Sequence, residues 1–219
     1  MLLNQLNKVI TRTKKGGFRE GFRYIRGQIY STSEHYILRN SMNNIPEITS
    51  DKFVEFQITE VVDPDSYLFH EIYRLWPLDI KPSSTEFETE LLKNRSKTGA
   101  MCFAMLHNNK LIGANWLYPP NQYYLSFSIP FLPGEYVSTG TFIVPGYRGM
   151  GASKFLKISG LNIAKQKGIL SVISMSSVKN VPSVKMNLAT GFKIIGSVIQ
   201  KHRLFKYSHS FIPESNCKE

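Results

Sequence analysis

The sequence predicts an α/β or α+β domain built on a mixed β-sheet. Short β-rich runs dominate the middle of the chain, helical segments punctuate them, and glycine or proline marks several junctions. Read in order, the elements are roughly β-α-α-β-β-(β)-β-α-β-α-β-β. Such an alternation is typical of helices that pack on a mixed sheet.

The first part of the domain carries one strand and two helices. KFVEFQITEV alternates apolar and polar residues and therefore predicts a strand. Asp63, followed directly by a proline, predicts the start of a helix that runs to Trp76. Prolines then break this helix, and a second short helix is expected from Ser84 to Lys93.

A hairpin and further strands occupy the middle of the chain. AMCFAML and KLIGANWLY are predicted to be two strands, joined by the turn-forming residues His107-Asn108-Asn109. YYLSFSI is a further candidate strand. YVSTGTFIV is predicted to be the strand that leads into a glycine-rich stretch.

The last third alternates helices with strands. A helix is predicted from Ala152 to Lys167, because a glycine follows and ends it. Its expected inner face consists of Phe155, Leu156, Ser159 and Ile163. ILSVISM is almost uninterruptedly apolar, which is typical of a strand in the middle of a sheet. A short helix from Pro182 to Thr190 follows, and FKIIGSVIQ and RLFKYS are the final predicted strands.

Composition points to one globular domain in a reducing compartment. The 219 residues are 42% hydrophobic, which suits a real core. Cys102 and Cys217 lie far apart and have no metal-ligand spacing. No run approaches the ~20 apolar residues of a membrane span, and the first residues lack the pattern of a secretory signal. We therefore expect a cytoplasmic protein that needs no metal.

Residues 1–45 are predicted to form a separate helical extension, followed by a domain at 46–219. Eight basic and three acidic residues fall within positions 1–50 of a chain whose net charge is +11. An apolar stripe at helical spacing accompanies them: Phe18, Phe22, Ile25 and Ile29. Such a helix packs on the main domain, lies on an anionic membrane at its inner face or, least favoured, binds nucleic acid.

FIVPGYRGMGASKFL, from Phe142 to Leu156, has the composition of a phosphate-binding loop. Ala152 stands where a nucleotide-hydrolysing loop needs lysine, and Lys154 stands where a dinucleotide-binding loop needs glycine. The pattern R-x-x-G-x-(G/A) fits from Arg148 onward, with Ser153 as a tolerated small residue. Backbone N–H groups at a helix N-terminus, together with an arginine, suit a pyrophosphate.

Two linked motifs make the sequence resemble the GNAT superfamily of acyl-CoA-dependent N-acyltransferases. The first is FIVPGYRGMGASKFL with GILSVISM, and the second is NVPSVKMNLATGFKIIG, which contains Asn180 and Gly191-Phe192. The resemblance covers about residues 52–207. It implies a largely antiparallel central sheet with flanking helices and one splayed strand pair. That gap admits the pantetheine arm of acetyl-CoA or another acyl-CoA.

The resemblance also implies the residues that hold the CoA. The splayed strand would pair with pantetheine through Thr141, Phe142 and Ile143. The pyrophosphate would be bound by Arg148 and the loop that follows it: Gly149, Met150, Gly151, Ala152, Ser153 and Lys154. Asn180 is expected to contact the pantetheine arm, to cap the next helix, or to do both. Asn187 is a further expected contact of the CoA. It stands where many members have a tyrosine that protonates the departing thiolate, and an amide cannot act as that acid.

A base that takes the proton of the amine is the least determined part of the site. Glu135 begins the strand that enters the loop and is the candidate catalytic base, with an ordinary turn residue as the alternative. Tyr123, Tyr124 and Tyr136 are vaguer candidates. His107 is expected in the hairpin turn, away from the site.

The acceptor and the assembly are expectations of the resemblance alone. The acceptor is expected to bind near Ile72 to Glu88, and Trp76 and Lys81 are candidate lining residues. Similar basic extensions occur in GNAT-like proteins of bacterial surface-polysaccharide production, so an amino sugar is one expected acceptor. A CoA-binding module without turnover is the rival interpretation. Either a monomer or a homodimer is expected.

Overall fold

A mixed eight-stranded sheet forms the centre of the computed structural model, which describes residues 10, 13, 17–18, 30–48, 53–75, 99–119, 129–203 and 206–216. The strands are β1 (Tyr30–Asn40), β2 (Phe56–Glu60), β3 (Met101–His107), β4 (Lys110–Tyr118), β5 (Glu135–Ile143), β6 (Ser171–Ser177), β7 (Lys193–Arg203) and β8 (Lys206–Pro213). The helices are α1 (Tyr67–Leu75), α2 (Ala152–Gln166) and α3 (Val181–Ala189). None of these helices has the length and apolarity of a membrane span.

The strands lie in the order β2-β3-β4-β5-β6-β1-β7-β8. All neighbours pair antiparallel except β5 and β6, which pair parallel. Apolar side chains are buried on both faces: α1 packs with Trp116 and Val137, whereas α2 packs with Phe103 and Val172. The predicted mixed, largely antiparallel sheet with flanking helices is confirmed.

Strand β1 corrects the predicted domain boundary at residue 45. Residues 30–40 lie inside the sheet, where they pair with β6 on one side and with β7 on the other. The polar start of this strand, YSTSE, hid its alternation from a search for apolar stripes. The sheet therefore begins at Tyr30, within the predicted extension. Of the predicted helical stripe, Phe22, Ile25 and Ile29 lie outside the described residues.

Several predicted elements are confirmed with shifted ends. The β3–β4 hairpin turns through Asn108 and Asn109, which have the positive φ angles of 50° and 58° that Asn tolerates in such turns. Helix α1 begins at Tyr67 rather than at Asp63, since the Ser66 hydroxyl accepts the Phe69 N–H at its start. The second predicted helix, at 84–93, and nearly all of YYLSFSI lie outside the described residues.

Helix α2 is rotated relative to the predicted inner face. Leu156 is fully buried as expected, but Ser159 and Ile163 are only half-buried. The side that packs on the sheet includes Lys157, Leu161 and Ala164 instead. Lys157, which was not part of the expected inner face, therefore lies on the buried side of the helix.

The Gly191-Phe192 motif holds the end of α3 against the segment that follows β1. A Cβ at Gly191 would lie 1.9 Å from the Asn44 carbonyl oxygen, and the glycine has a φ of 86°. The Asn40 side chain donates to the Thr190 carbonyl (2.9 Å) across the same contact. Glycine is thus required here by close backbone approach as well as by its φ angle.

Candidate functional site

The sheet opens between β5 and β6. Their parallel pairing runs from Glu135↔Ser171 to Ser138↔Ser174 and then stops, although β5 continues to Ile143 and β6 to Ser177. Ser138↔Ser174 is therefore the last rung before the two strands part. This is the splayed strand pair that the resemblance implies, and we call the gap beyond the last rung the cleft.

A bulge in β5 lies beside the cleft. Ala114 pairs with Phe142 and Trp116 with Thr139, so β5 carries one more residue than β4 between these rungs. The Asn115 side chain, only 1% exposed, donates to the Thr141 hydroxyl at 2.6 Å. It also lies 3.3 Å from the Ser138 hydroxyl and 3.4 Å from the Thr139 carbonyl. Asn115, which sequence analysis did not single out, thus fixes the wall of the cleft.

Replacement of Asn115 by alanine is expected to loosen this wall. It leaves two hydroxyls without their buried donor, which costs about 1–3 kcal/mol of unfolding free energy. Urea unfolding measures the loss, and calorimetry with acetyl-CoA should show weaker binding at a temperature where both forms are folded. The matched control is Asn162→Ala, which removes an exposed asparagine of α2 and should leave both stability and affinity nearly unchanged. Equal acetyl-CoA affinity in Asn115→Ala would contradict a role for the bulge in the site.

The glycine loop connects the end of β5 to α2. A 3-10 turn at Pro145–Tyr147 is followed by Arg148–Gly151, and Gly151 is the N-cap of α2 with a left-handed φ of 89°. No side chain caps this helix start. The first-turn N–H groups of Ser153 and Lys154 thus lack the hydroxyl or carboxylate that commonly satisfies such groups. An anion fits this end of α2.

The side chains around the loop agree with an anionic ligand. Arg148 and Lys154 are exposed, and the Arg148 Nε donates to the Ile143 carbonyl at 2.8 Å, which ties the arginine to the end of β5. Met150 is 52% exposed. Phe142 and Ile143 point into the core at 6% exposure each. A ligand in the cleft could therefore meet these two residues of β5 only through their backbone.

An aromatic cluster packs beside the glycine loop. Phe53 stacks on Phe155 with ring centroids 4.7 Å apart, and the ring of Tyr147 packs against His107. His107 is bonded on both sides, to the Tyr147 hydroxyl (2.8 Å) and to the Glu55 carboxylate (3.1 Å). His107 ends β3 at the predicted hairpin and, through Tyr147, braces the turn just before Arg148.

Glu135 is not placed to act as the base. Its side chain is fully buried and forms an ion pair with Arg39, with 2.8 Å between Nε and Oε1. The Ser171 hydroxyl (2.7 Å) and the Leu132 N–H (3.0 Å) donate to the same carboxylate. With about 3.3 Å per residue, Glu135 also lies about 20 Å along β5 from Thr141. The structure corrects the assignment: Glu135 joins β1 to β5 and lies at the far end from the loop.

The two predicted asparagines have different surroundings. Asn180 is exposed and its Oδ1 accepts the Ser183 N–H (3.3 Å), so the predicted helix cap is present. Asn187 is 1% exposed. Its amide donates to the Ser176 hydroxyl (3.0 Å) and the Ser183 carbonyl (3.1 Å). Asn187 is therefore held between α3 and β6 by these serines. Its expected contact with CoA stays a prediction.

Lys157 is the functional candidate that sequence analysis missed. Its amine donates to the Asn187 Oδ1 and to the Ser174 hydroxyl (3.4 Å), and it lies 4.4 Å from the centre of the Phe192 ring. Burial lowers the pKa of this lysine from 10.5 to about 7. A lysine within an apolar helical stripe was the available signal, but the stripe was assigned to the wrong side of α2.

The acceptor region is described only in part. Trp76, Lys81, Tyr123 and Tyr124 lie outside the described residues. Trp116 and Tyr118 are 1% and 3% exposed and belong to the core beside α1. The described residues contain no group of three or more side chains suited to a metal.

Comparison with known proteins finds similar solved structures. No protein-family model matches the sequence, and no curated protein does. A GNAT-family acetyltransferase from Colwellia psychrerythraea is similar in structure, with a TM-score of 0.54, 13% identity, and coverage of 83% of this chain and 60% of that one. The GCN5-related glucosamine N-acetyltransferase region of a fungal multi-domain GH3 β-N-acetylglucosaminidase matches with a TM-score of 0.56 and 10% identity. That match covers 84% of this chain and 22% of the fungal one.

A third similar structure contains a CoA derivative. AAC(6')-Iy, solved with the bisubstrate analogue CoA-S-monomethyl-acetylneamine, has a TM-score of 0.50 and 20% identity, with coverage of 63% of this chain and 90% of that chain. The present chain spans less than two thirds of the Colwellia and fungal chains. At these identities the likeness is one of fold. Together with the strand order and the cleft between β5 and β6, it identifies the fold as that of the GNAT acetyltransferases.

Proposed function

We propose that this protein transfers an acyl group, acetyl in the first instance, from acyl-CoA to a primary amine. One observation carries the proposal: the cleft between β5 and β6 lies next to the uncapped, cationic start of α2. A long ligand with an anionic middle and a narrow arm fits this juxtaposition. The arm would enter beside Thr141 and Ile143, and the diphosphate would lie on the first turn of α2 with Arg148 and Lys154.

In this proposal the described residues of the cleft mainly hold the acyl-CoA and the amine in place. Asn115 fixes the bulge of β5, whose backbone would hold the acyl carbonyl in place. An acyl-CoA supplies an activated thioester, whose carbonyl carbon is open to attack by an amine. Holding the amine and the thioester together in a site shielded from water accounts for a large share of such a rate.

An amino sugar is the acceptor class that we propose first. Two of the similar structures act on or contain such acceptors by name: the fungal region acts on glucosamine, and AAC(6')-Iy was solved with an acetylneamine adduct. The basic N-terminal residues would favour acceptors linked to phosphate or to an anionic surface, as in the precursors of surface polysaccharides. On this proposal the protein works at the inner face of the membrane without spanning it.

Thiol release from acetyl-CoA tests the proposed activity. A panel of amino sugars, polyamines, amino acids and peptides is assayed with a thiol-reactive dye. Each amine is paired with the analogue that has a hydroxyl in its place, such as glucose for glucosamine. We expect release with at least one amine and none with its hydroxyl analogue. Tight acetyl-CoA binding without release across the panel would contradict the proposed reaction.

Charge reversal at Arg148 tests the CoA site separately. Arg148→Glu places an anion beside the proposed diphosphate and removes a charge-assisted hydrogen bond, which is worth about 1.5–3 kcal/mol, or roughly 10- to 100-fold in affinity. Lys165→Glu is the matched control, because it makes the same charge change at the other end of α2. Calorimetry with acetyl-CoA should show weaker binding only in Arg148→Glu. Equal affinity in both variants would show that the diphosphate lies elsewhere.

A CoA-binding module without turnover is the second candidate. It is favoured by the burial of the expected base, Glu135, in its ion pair. It is also favoured by Asn187, an amide at the position where many related enzymes have a tyrosine acid. For this candidate, acetyl-CoA binds and Arg148→Glu weakens the binding, but no amine releases thiol. The two experiments together therefore separate the candidates.

A further inference from the structure

Lys157 places an amine inside the protein without a carboxylate to balance it. The residue is 2% exposed, and among the described residues its polar contacts are Ser174 and Asn187, both uncharged. The Phe192 ring covers it on another side, as a cation–π contact. Burying an ammonium without an anion lowers the stability of the folded protein. Buried groups of this kind are found often at functional sites. The position is therefore a candidate for function.

Hydrogen bonds connect this amine to the cleft by two routes. Lys157 donates to the Ser174 hydroxyl, which in turn donates to the Ser138 carbonyl (3.4 Å). Ser138↔Ser174 is the last rung before β5 and β6 part, so this route ends at the closed end of the cleft. The second route runs through Asn187 to Ser176.

The second route ends on the other wall of the cleft. The Ser176 hydroxyl lies 2.9 Å from the Ser183 hydroxyl, which is half-buried near the start of α3. An amide cannot pass a proton as a hydroxyl can, so Asn187 holds the amine in place. The Ser174 hydroxyl provides the path for a proton.

We propose that Lys157 acts through the Ser174 hydroxyl to supply the proton that the departing sulfur needs, with Asn187 as the residue that positions the amine. This inference rests on the proposed function. When a neutral amine attacks the thioester carbonyl, the C–N bond forms and the C–S bond breaks. The nitrogen loses one proton and the sulfur gains one. In the proposed relay Lys157 gives up a proton on the sulfur side, and the proton lost from nitrogen restores it through water.

The surroundings of Lys157 suit such an exchange near neutral pH. The elements packed against it present Ser174 and Ser176 from β6 and Asn187 from α3, none of them titratable in this range. The charged residues on α3 or beside α3 and β6, which are Lys179, Lys185 and Lys193, are exposed. Because burial lowers the pKa of Lys157 to about 7, both of its protonation states are populated there.

The thiol of bound CoA gives a readout that needs no acceptor. Its ionisation is followed by thiolate ultraviolet absorbance from pH 6 to 9, with desulfo-CoA as the blank. We compare the unchanged protein with Lys157→Met, Ser174→Ala and the exposed control Lys165→Met. At pH 7 we expect about tenfold more thiolate on the unchanged protein and on Lys165→Met than on Lys157→Met, because a nearby ammonium lowers the pKa of the thiol.

Turnover with an accepted amine gives the second readout. Lys157→Met should lower kcat about 100-fold and remove the neutral limb of its pH profile, while KM for acetyl-CoA stays within about twofold. Ser174→Ala keeps the amine but breaks the path, so it should lower kcat while retaining the thiolate signal. This variant also serves if Lys157→Met fails to fold. Ser174→Ala with an unchanged kcat would overturn the relay.

The outcomes separate this inference from the proposed function. Equal thiolate titration in Lys157→Met and in the unchanged protein would overturn the inference even if thiol release is robust. A Lys157-dependent titration in a protein that accepts no amine would support the coupling to sulfur and overturn the proposed reaction. Failure of the unchanged protein to bind CoA would overturn both.

Discussion

Replacing Glu135 by alanine is expected to lower the free energy of unfolding by about 3–5 kcal/mol, the usual cost of removing one partner of a buried ion pair. Arg39 would keep its charge without the carboxylate that it now meets at 2.8 Å and 3.1 Å. The Ser171 hydroxyl and the Leu132 N–H would lose their acceptor as well. Urea unfolding measures the loss. Acetyl-CoA affinity should stay unchanged where both proteins are folded.

Two controls assign this effect to the ion pair. Glu214→Ala removes an exposed carboxylate and should change stability by less than about 0.5 kcal/mol. Arg39→Met combined with Glu135→Ala completes a double-mutant cycle, in which the pair should show a favourable coupling energy. A Glu135→Ala protein with normal stability but no thiol release would restore the carboxylate as the base.

The structure beyond residue 140 was largely predictable, because the information there is local. A glycine loop that opens a helix, an apolar strand and a proline-initiated helix follow one another within some fifty residues, and each has its own start and stop signals. The splayed strand pair followed from the resemblance that these motifs carry. Their ends shifted by only a few residues in the structure, as Lys167 shows at the end of α2.

Strand β1 and the partners of Glu135 were not predictable, because they depend on long-range pairing. YSTSEHYILRN has polar residues where a central strand usually has apolar ones, and its place between β6 and β7 is fixed by residues more than 130 positions away. Arg39 lies on this strand, so the ion pair that removes Glu135 from catalysis could not be anticipated either.

Lys157 was missed because its role depends on which side of α2 packs on the sheet. A helical stripe gives a face only to within about one residue, and a shift of one residue moves the face by about 100°. The stripe through Leu156 and Ile163 left Lys157 beside the predicted face, and the structure turns it onto the sheet. A charged residue next to a predicted apolar stripe is thus a position where sequence reasoning loses a functional candidate.

The stability of this protein is expected to rise with pH, relative to Lys157→Met, between about pH 7 and pH 10. Burial lowers the pKa of Lys157 to about 7 in the folded chain, whereas the unfolded chain keeps the ordinary value near 10.4. Below pH 7 both states carry the proton, and the cost of burying the cation is at its full value. Above pH 7 only the unfolded state keeps it, so the unfolding free energy gains about 1.4 kcal/mol per pH unit.

Paired urea titrations at pH 6, 7, 8 and 9 measure this slope, since subtracting the Lys157→Met curve removes the contribution of the other titrating groups. The difference should be flat from pH 6 to 7 and should then change by about 3 kcal/mol by pH 9 in favour of the unchanged protein. The control Lys165→Met, an exposed lysine on the same helix, should give a flat difference throughout. If the difference between the unchanged protein and Lys157→Met is also flat, the amine keeps its proton in the folded protein throughout this pH range. The Asn187 carbonyl and the Phe192 ring would then stabilise a permanent cation, and Lys157 could not exchange a proton near neutral pH.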